Sequence, residues 1–245
     1  MTQEHGQVAF GTSLIDYRVE RSHRRHTVTV AVDASEVVLK APTDTPANRL
    51  QAVVRSKGPW ILQRRLEFEE IGPAPPPMEF VSGESCAYLG RHYRLKIERF
   101  PGIAKPQAAL RGAFLVVQVG RVMDADQRWE HVKSAVTAWY RKQAGRRLPE
   151  RVALYATRAG VERPPTLIRN QEKRWGSCSS KGELRFNWRI IMAPMSLVDY
   201  VVAHEVCHLE VRDHSAAFWK LLGTILPDYE DRRERLRVDG RWYHI

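Results

Sequence analysis

The stretch "LVDYVVAHEVCHL", residues 197–209, constrains this chain more than any other. It is nearly continuous in apolar character, yet too short to cross a bilayer, which needs about 20 residues. A helix here is therefore a core helix. Polar side chains in a core need a reason, because a buried polar group left without a partner costs ~1–3 kcal/mol. His204, Glu205 and His208 are such side chains. Residues i and i+4 share a helix face one turn apart, so both imidazoles can offer a nitrogen to one ion. Glu205 is turned about 100° from His204, close enough to take a proton from a water beside that ion without binding the ion itself. The H-E-x-x-H spacing thus reads as a metal-binding edge with a base attached. The competing reading is a core helix with two partly buried histidines.

Borderline-soft Zn²⁺ favours neutral imidazole, and a catalytic zinc keeps three protein ligands and one open position. His214, six residues beyond His208, can supply the third if the helix ends between them. "EVRDHS" permits that end: Arg212 and Asp213 suit a turn, and Ser215 suits the cap of a following helix. Glu230 and Glu234 are rival third ligands. Cys178 and Cys207 are further candidates, although Cys207, next to His208, points elsewhere and reads as core. The expected site is one Zn²⁺ per chain on His204, His208 and His214, with Glu205 as the catalytic base.

The rest of the chain divides by period. Residues 1–120 read as a β-rich N-terminal region. Short alternating bursts run through "IDYRVERSHRRHTVTVAVDASEVVLKAP". A helix over "TPANRLQAVVRSKGPWILQRRLEFEE" is expected to break near Gly58–Pro59. A stiff proline linker spans 72–77. A hairpin turning at Gly90–Arg91 and a strand "GAFLVVQVG" follow. Residues 121–245 read as a helix-rich domain. Pro149 should restart or kink the first helix, and Gly160 should end it. "PPTLIRNQEKRWGSCSSKGELRFNWRII" gives a strand, a loop and a strand pair. Three helices complete the chain, with Ser196 and Ser215 as expected N-caps. The class is α+β.

The formal net charge of +11, from 39 basic and 28 acidic residues, suits a polyanionic partner such as nucleic acid or a phosphate-rich substrate. It fits equally a solvated basic face. Arg141, Lys142, Arg146, Arg147 and Arg151 are open to both readings. Three cysteines, none in C-x-x-C spacing, argue against a disulfide framework and for a reducing compartment. With no signal peptide and no apolar run of spanning length, the expectation is a cytoplasmic enzyme without a membrane segment.

Residues 169–222, with "RWGSC", "NWR", H-E-x-x-H, "HS" and "FW" in order, resemble the YgjP-like metal-dependent hydrolases, a metallopeptidase family related in pattern to SprT-like and other zincin proteases. The resemblance implies a zincin-like catalytic domain, metal on His204, His208 and His214, and Glu205 as the catalytic glutamate. Val211 stands where metzincins carry glycine, so the path after the helix departs from theirs.

Three functions stay open. A zinc metallopeptidase would lay an extended peptide or protein substrate along the hairpin 174–188, with Trp175 or Asn187 shaping the cleft. A nucleotide phosphoanhydride hydrolase would use the same centre, with Lys173, Arg174, Lys181 and Arg185 on the phosphates. A nucleic-acid-binding protein would carry a structural zinc, but such sites usually close with four ligands, often cysteines.

Overall fold

The computed structural model describes residues 4–33, 36–72, 76–103, 105–120, 124–171 and 173–245. The chain forms two compact units, Met1–Ala74 and Pro75–Ile245.

In the first unit, β1 (Glu4–Phe10) and β2 (Ser13–Arg21) form a hairpin. β2 runs parallel to β4 (Val37–Ala41), and β3 (Thr29–Val32) closes the sheet antiparallel to β4. Period-two alternation points Ile15, Tyr17 and Val19 inward, onto Leu50, Val54 and Ile61 of the helix α1 (Ala47–Ile71). The expected break at Gly58–Pro59 is absent, and α1 runs through both residues. Leu50 and Val54 before the proline and Ile61 after it belong to the same buried core, so packing outweighs the hydrogen bond that proline removes. Gly58 seats the Phe10 ring, and a Cβ there would stand 2.5 Å from Phe10 Cδ2. Residues 73–75 of the proline linker lie outside the described residues.

The second unit opens with β5 (Ser85–Tyr88), β6 (Arg91–Phe100), β7 (Gln107–Arg111) and β8 (Phe114–Gly120), ordered β5-β6-β8-β7, with β6 and β8 parallel. The β5–β6 turn sits one residue earlier than expected. Leu89 and Gly90 both have positive φ, 49° and 78°, as a two-residue turn of the primed kind needs. The helix α2 (Ala125–Ala159) covers this sheet. Asp124 Oδ1 accepts from the Gln127 amide at 2.7 Å, and Gly160, in the left-handed region, ends the helix as expected. Pro149 neither restarts nor breaks it. Tyr140, Ala144, Leu148, Val152 and Tyr155 are buried on one stripe that continues past the proline.

The division at residue 120 follows the change from strand to helix, but the apolar packing crosses it. Leu95, Leu115 and Val117 share a core with Val132, Val136 and Tyr140 of α2, and the Tyr88 and Trp139 rings meet edge-on at 5.0 Å. By compactness the chain divides at 74/75.

A small sheet follows. β11 (Leu184–Asn187) lies between β9 (Thr166–Arg169), parallel to it, and β10 (Gly176–Cys178), antiparallel and on the edge. A 3₁₀ turn, Trp188–Met192, leads into α3 (Met195–Cys207), then α4 (Ala216–Ile225) and α5 (Tyr229–Asp239). α3 is held centrally, with Leu197 to Ala203 and Glu205 to Cys207 all buried. Its first bonds run from the Leu197 and Val198 amides to the Pro194 carbonyl. Pro194 is thus the N-cap, and Ser196, expected there, lies inside the first turn. Ser215 takes the N-cap position of α4, but its side chain makes no capping bond. α2 and α3 are joined by Arg151, whose Nε and Nη2 donate to the two Asp199 oxygens at 2.6 and 2.8 Å. Arg147 bonds Glu150. Arg146 also pairs with Glu150, so three of the four arginines of the basic run have a structural partner. The architecture is α+β, and no helix among the described residues is long and apolar enough to cross a membrane.

Candidate metal centre

The last turn of α3 brings His204 and His208 to one side, as the i, i+4 spacing requires. The helix ends at Cys207. The Glu210 and Val211 amides fold back onto the Cys207 carbonyl at 3.1 and 2.9 Å, reversing the chain within one tight turn. This reversal returns His214 to the other two. His204 Nε2 lies 3.2 Å from His208 Nε2 and 3.0 Å from His214 Nε2, and one nitrogen of each of the three rings falls within 4.8 Å of the others.

The environment prepares His204 and His208 as neutral donors. His208 Nδ1 faces the Val211 carbonyl at 3.0 Å. A neutral ring must carry its proton there, leaving the Nε2 lone pair aimed at the cluster. Burial, with the neighbouring His208 and His214 charges, pushes His204 down to about 3. Burial also lowers His208. Phe218 stacks on His208 at 4.5 Å, and Trp219 lies against His214 at 5.6 Å while donating Nε1–H to the His214 carbonyl at 3.0 Å. Two imidazole nitrogens on one tetrahedral zinc at ~2.0–2.1 Å stand about 3.3 Å apart. The donor set and its spacing therefore fit a divalent ion. Glu230 does not join the cluster: it accepts from the Tyr229 hydroxyl at 3.0 Å, and Glu234 pairs with Arg237. Cys207 is fully buried among apolar neighbours.

Glu205 is only 6% exposed, and its Oε2 has no hydrogen-bond partner among the described residues. Burial pushes its carboxyl up to about 7 against the opposing pull of Arg174. The main chain of β10 passes directly over it. A Cβ on Gly176 would lie 2.6 Å from Glu205 Cγ and 2.7 Å from Oε1, so only glycine allows the edge strand this close. Glu205 and His204 open onto a cavity of about 330 Å³ walled by Trp175, Tyr200, Val201 and Leu236.

A family model described as "YgjP-like, metallopeptidase domain" matches residues 26–239. The chain belongs to the YgjP-like metallopeptidase family. Its members are metal-dependent hydrolases by that description, and this chain is such an enzyme. Among solved structures, it is similar to the metallopeptidase zymogen abylysin of Pyrococcus abyssi. That match has 19% identity and a TM-score of 0.35, covering 36% of this chain and 90% of that one. It is also similar to the zymogen jannalysin of Methanocaldococcus jannaschii, with 18% identity, a TM-score of 0.34, and 36% and 86% coverage. A search of curated proteins finds no match.

Other expected cleft residues of this YgjP-like enzyme are placed differently from one another. Trp175 and Arg174 line the cavity. Asn187 is buried: its Nδ2–H donates to the Gln171 carbonyl at 2.7 Å, and its Oδ1 accepts from the Arg189 amide, so it fixes the loop before β10. Arg185 pairs with Glu183, and Lys173 lines a neighbouring cavity of about 510 Å³. Three contributors went unread in the sequence. Gly176 was legible in principle, since a glycine inside a strand pattern marks a close approach. Arg233 lines the cavity from α5. Arg212 donates to the Ser179 carbonyl at 2.7 Å and reaches Cys178 Sγ at 3.4 Å, tying the His208–His214 turn to the β10–β11 turn.

Proposed function

We propose that the enzyme is a zinc-dependent peptidase in which His204, His208 and His214 hold one Zn²⁺ and Glu205 is the general base. The observation that carries this reading is the convergence of the three imidazole nitrogens beside a buried, unpartnered carboxylate under an edge strand. A bound zinc supplies Lewis acidity to a water and to the scissile carbonyl. Glu205 accepts the proton of the attacking water at a carboxylate oxygen and returns it to the leaving amine. β10, with one side free of strand partners among the described residues, offers main-chain groups to an extended peptide, and Gly176 keeps that peptide close to Glu205. The burial of Glu205 beneath Gly176 limits the access of bulk water to the base.

A closed structural zinc is a poorer fit. The cluster offers three ligands among the described residues, where structural sites take four. Phosphoanhydride hydrolysis is the second reading, favoured by charge: of the net +11, residues 1–74 carry 10 basic and 9 acidic residues, leaving +10 on residues 75–245.

A side-by-side hydrolysis screen of the zinc-loaded protein on unfolded proteins, peptides and nucleoside triphosphates decides between them. Elemental analysis tests the ligands. His204→Ala/His208→Ala is expected to lose its zinc, and full occupancy in that variant rejects the assignment. Glu205→Gln is expected to keep zinc while turnover falls ~10²–10⁴-fold. Metal content and rate are measured on the same sample.

A further inference from the structure

We infer that the cavity beside the three histidines is a specificity subsite for an acidic side chain of a peptide substrate, read by Arg174 and Arg233. The inference rests on the peptidase reading above and names its substrate preference. Arg174, just before β10, and Arg233 and Arg237, on α5, are all exposed and line this cavity with His204 and Glu205. Of the four arginines on α5, three are matched: Arg232 by Asp228 at 2.8 Å, Arg235 by Asp239 at 3.1 Å and Arg237 by Glu234 at 2.6 Å. Arg233 is in no ion pair among the described residues, and neither is Arg174. Two of the arginines lining the cavity, on separate segments, thus carry no ion pair among the described residues and share that cavity with His204 and Glu205.

Arg233 is also held in place. Its guanidinium lies 4.9 Å over the Trp219 ring, and Tyr229 stacks on the same ring at 5.5 Å and 19°. A guanidinium fixed against an aromatic ring loses little further freedom when its planar fork meets a carboxylate. The rest of the wall is Trp175, Tyr200, Val201 and Leu236. Apolar walls leading to two cations suit a methylene stem ending in a carboxylate, the side chain of glutamate. Glu205, buried beneath Gly176, feels the charge of Arg174 but forms no ion pair with either arginine among the described residues, so both guanidinium groups keep their donors for a ligand.

The test uses paired peptide libraries identical except for Glu or Gln at one fixed position near the cleavage site. Glutamine keeps the shape and loses the charge. A charge-assisted hydrogen bond is worth about a 10- to 100-fold preference, so kcat/KM should favour Glu by that factor at one position. Arg174→Gln/Arg233→Gln should bring the ratio toward one, and Arg174→Glu/Arg233→Glu should turn it toward Lys. Equal rates for Glu and Gln at every position overturn the subsite and leave the peptidase reading standing.

A binding arm separates the two ideas. Fluorescence anisotropy of the same peptides on zinc-loaded Glu205→Gln protein reads the subsite without turnover. Tighter binding of Glu peptides, lost in the arginine variants, upholds the subsite even if no peptide is cleaved, in which case the peptidase reading fails alone. Equal binding of Glu and Gln peptides, with a nucleoside triphosphate bound tightly instead, overturns the subsite in favour of phosphate.

Discussion

At Gly176 a single missing side chain decides how near the edge strand comes to the base. Gly176→Ala places a methyl group 2.6 Å from Glu205 Cγ, and the contact is with a buried side chain that has little room to yield. Overpacking of this kind typically costs ~1–3 kcal/mol. The expected outcome is a loss of that size in urea denaturation, with a fall in kcat and zinc content retained. Unchanged kcat would mean that Glu205 shifts without consequence. The histidines were legible because helical period fixes which side chains share a face, and because a turn of six residues has few ways to return His214. Arg233 was not, and Gly176 only as a sign of some close approach, since each matters through a partner far along the chain, and one sequence shows no such pairing. Glu230 was the rival third ligand on residue type; its place on α5, where it accepts from the Tyr229 hydroxyl, keeps it out of the cluster.

Secondary elements here are governed by what they bury. The prolines at 59 and 149 read as breaks because local rules weigh the lost hydrogen bond and not the stripe of apolar residues on either side. β1 was unread because only Val8 in it is buried, so its alternation carries almost no signal. By contrast α3, buried nearly all round, and the hairpin around "SSKGE" were legible from length and turn residues.

The Arg151–Asp199 pair joins α2 to this central helix, and its two halves are unequal. The Asp199 side chain is 11% exposed and that of Arg151 27%. Arg151→Ala strands a carboxylate in the interior, whereas Asp199→Ala leaves an arginine that can reach water. Equilibrium unfolding should show the arginine variant as the less stable, by about 1–2 kcal/mol, with a total loss of ~3–5 kcal/mol. Arg212→Ala should act on another property. By freeing the His208–His214 turn from the hairpin, it should weaken zinc retention in a competition titration against a chelator by ~10–100-fold, the range seen when outer groups that orient ligands are removed, while leaving thermal stability near that of the unaltered protein.

On the scale of the whole molecule, the two units have separate apolar cores. Separate cores unfold in separate transitions unless they are coupled. Calorimetry is expected to resolve two, and only the one belonging to residues 75–245 should move when zinc is removed, because an ion stabilises the state that binds it by RT ln(1 + [L]/Kd), about 4 kcal/mol at a thousandfold excess over Kd. A shift of both transitions, or of neither, would contradict this.

The burial of α3 has a consequence in time. A helix enclosed by its own apolar neighbours from Leu197 to Cys207 does not need an ion to hold its shape, unlike small zinc-dependent modules that fold only on loading. The nascent chain can therefore finish folding first and be metallated afterwards. Imidazole donors rank copper above zinc and zinc above manganese, so a site finished before loading would select zinc through the geometry it imposes and through which ion its surroundings supply, and not through raw affinity.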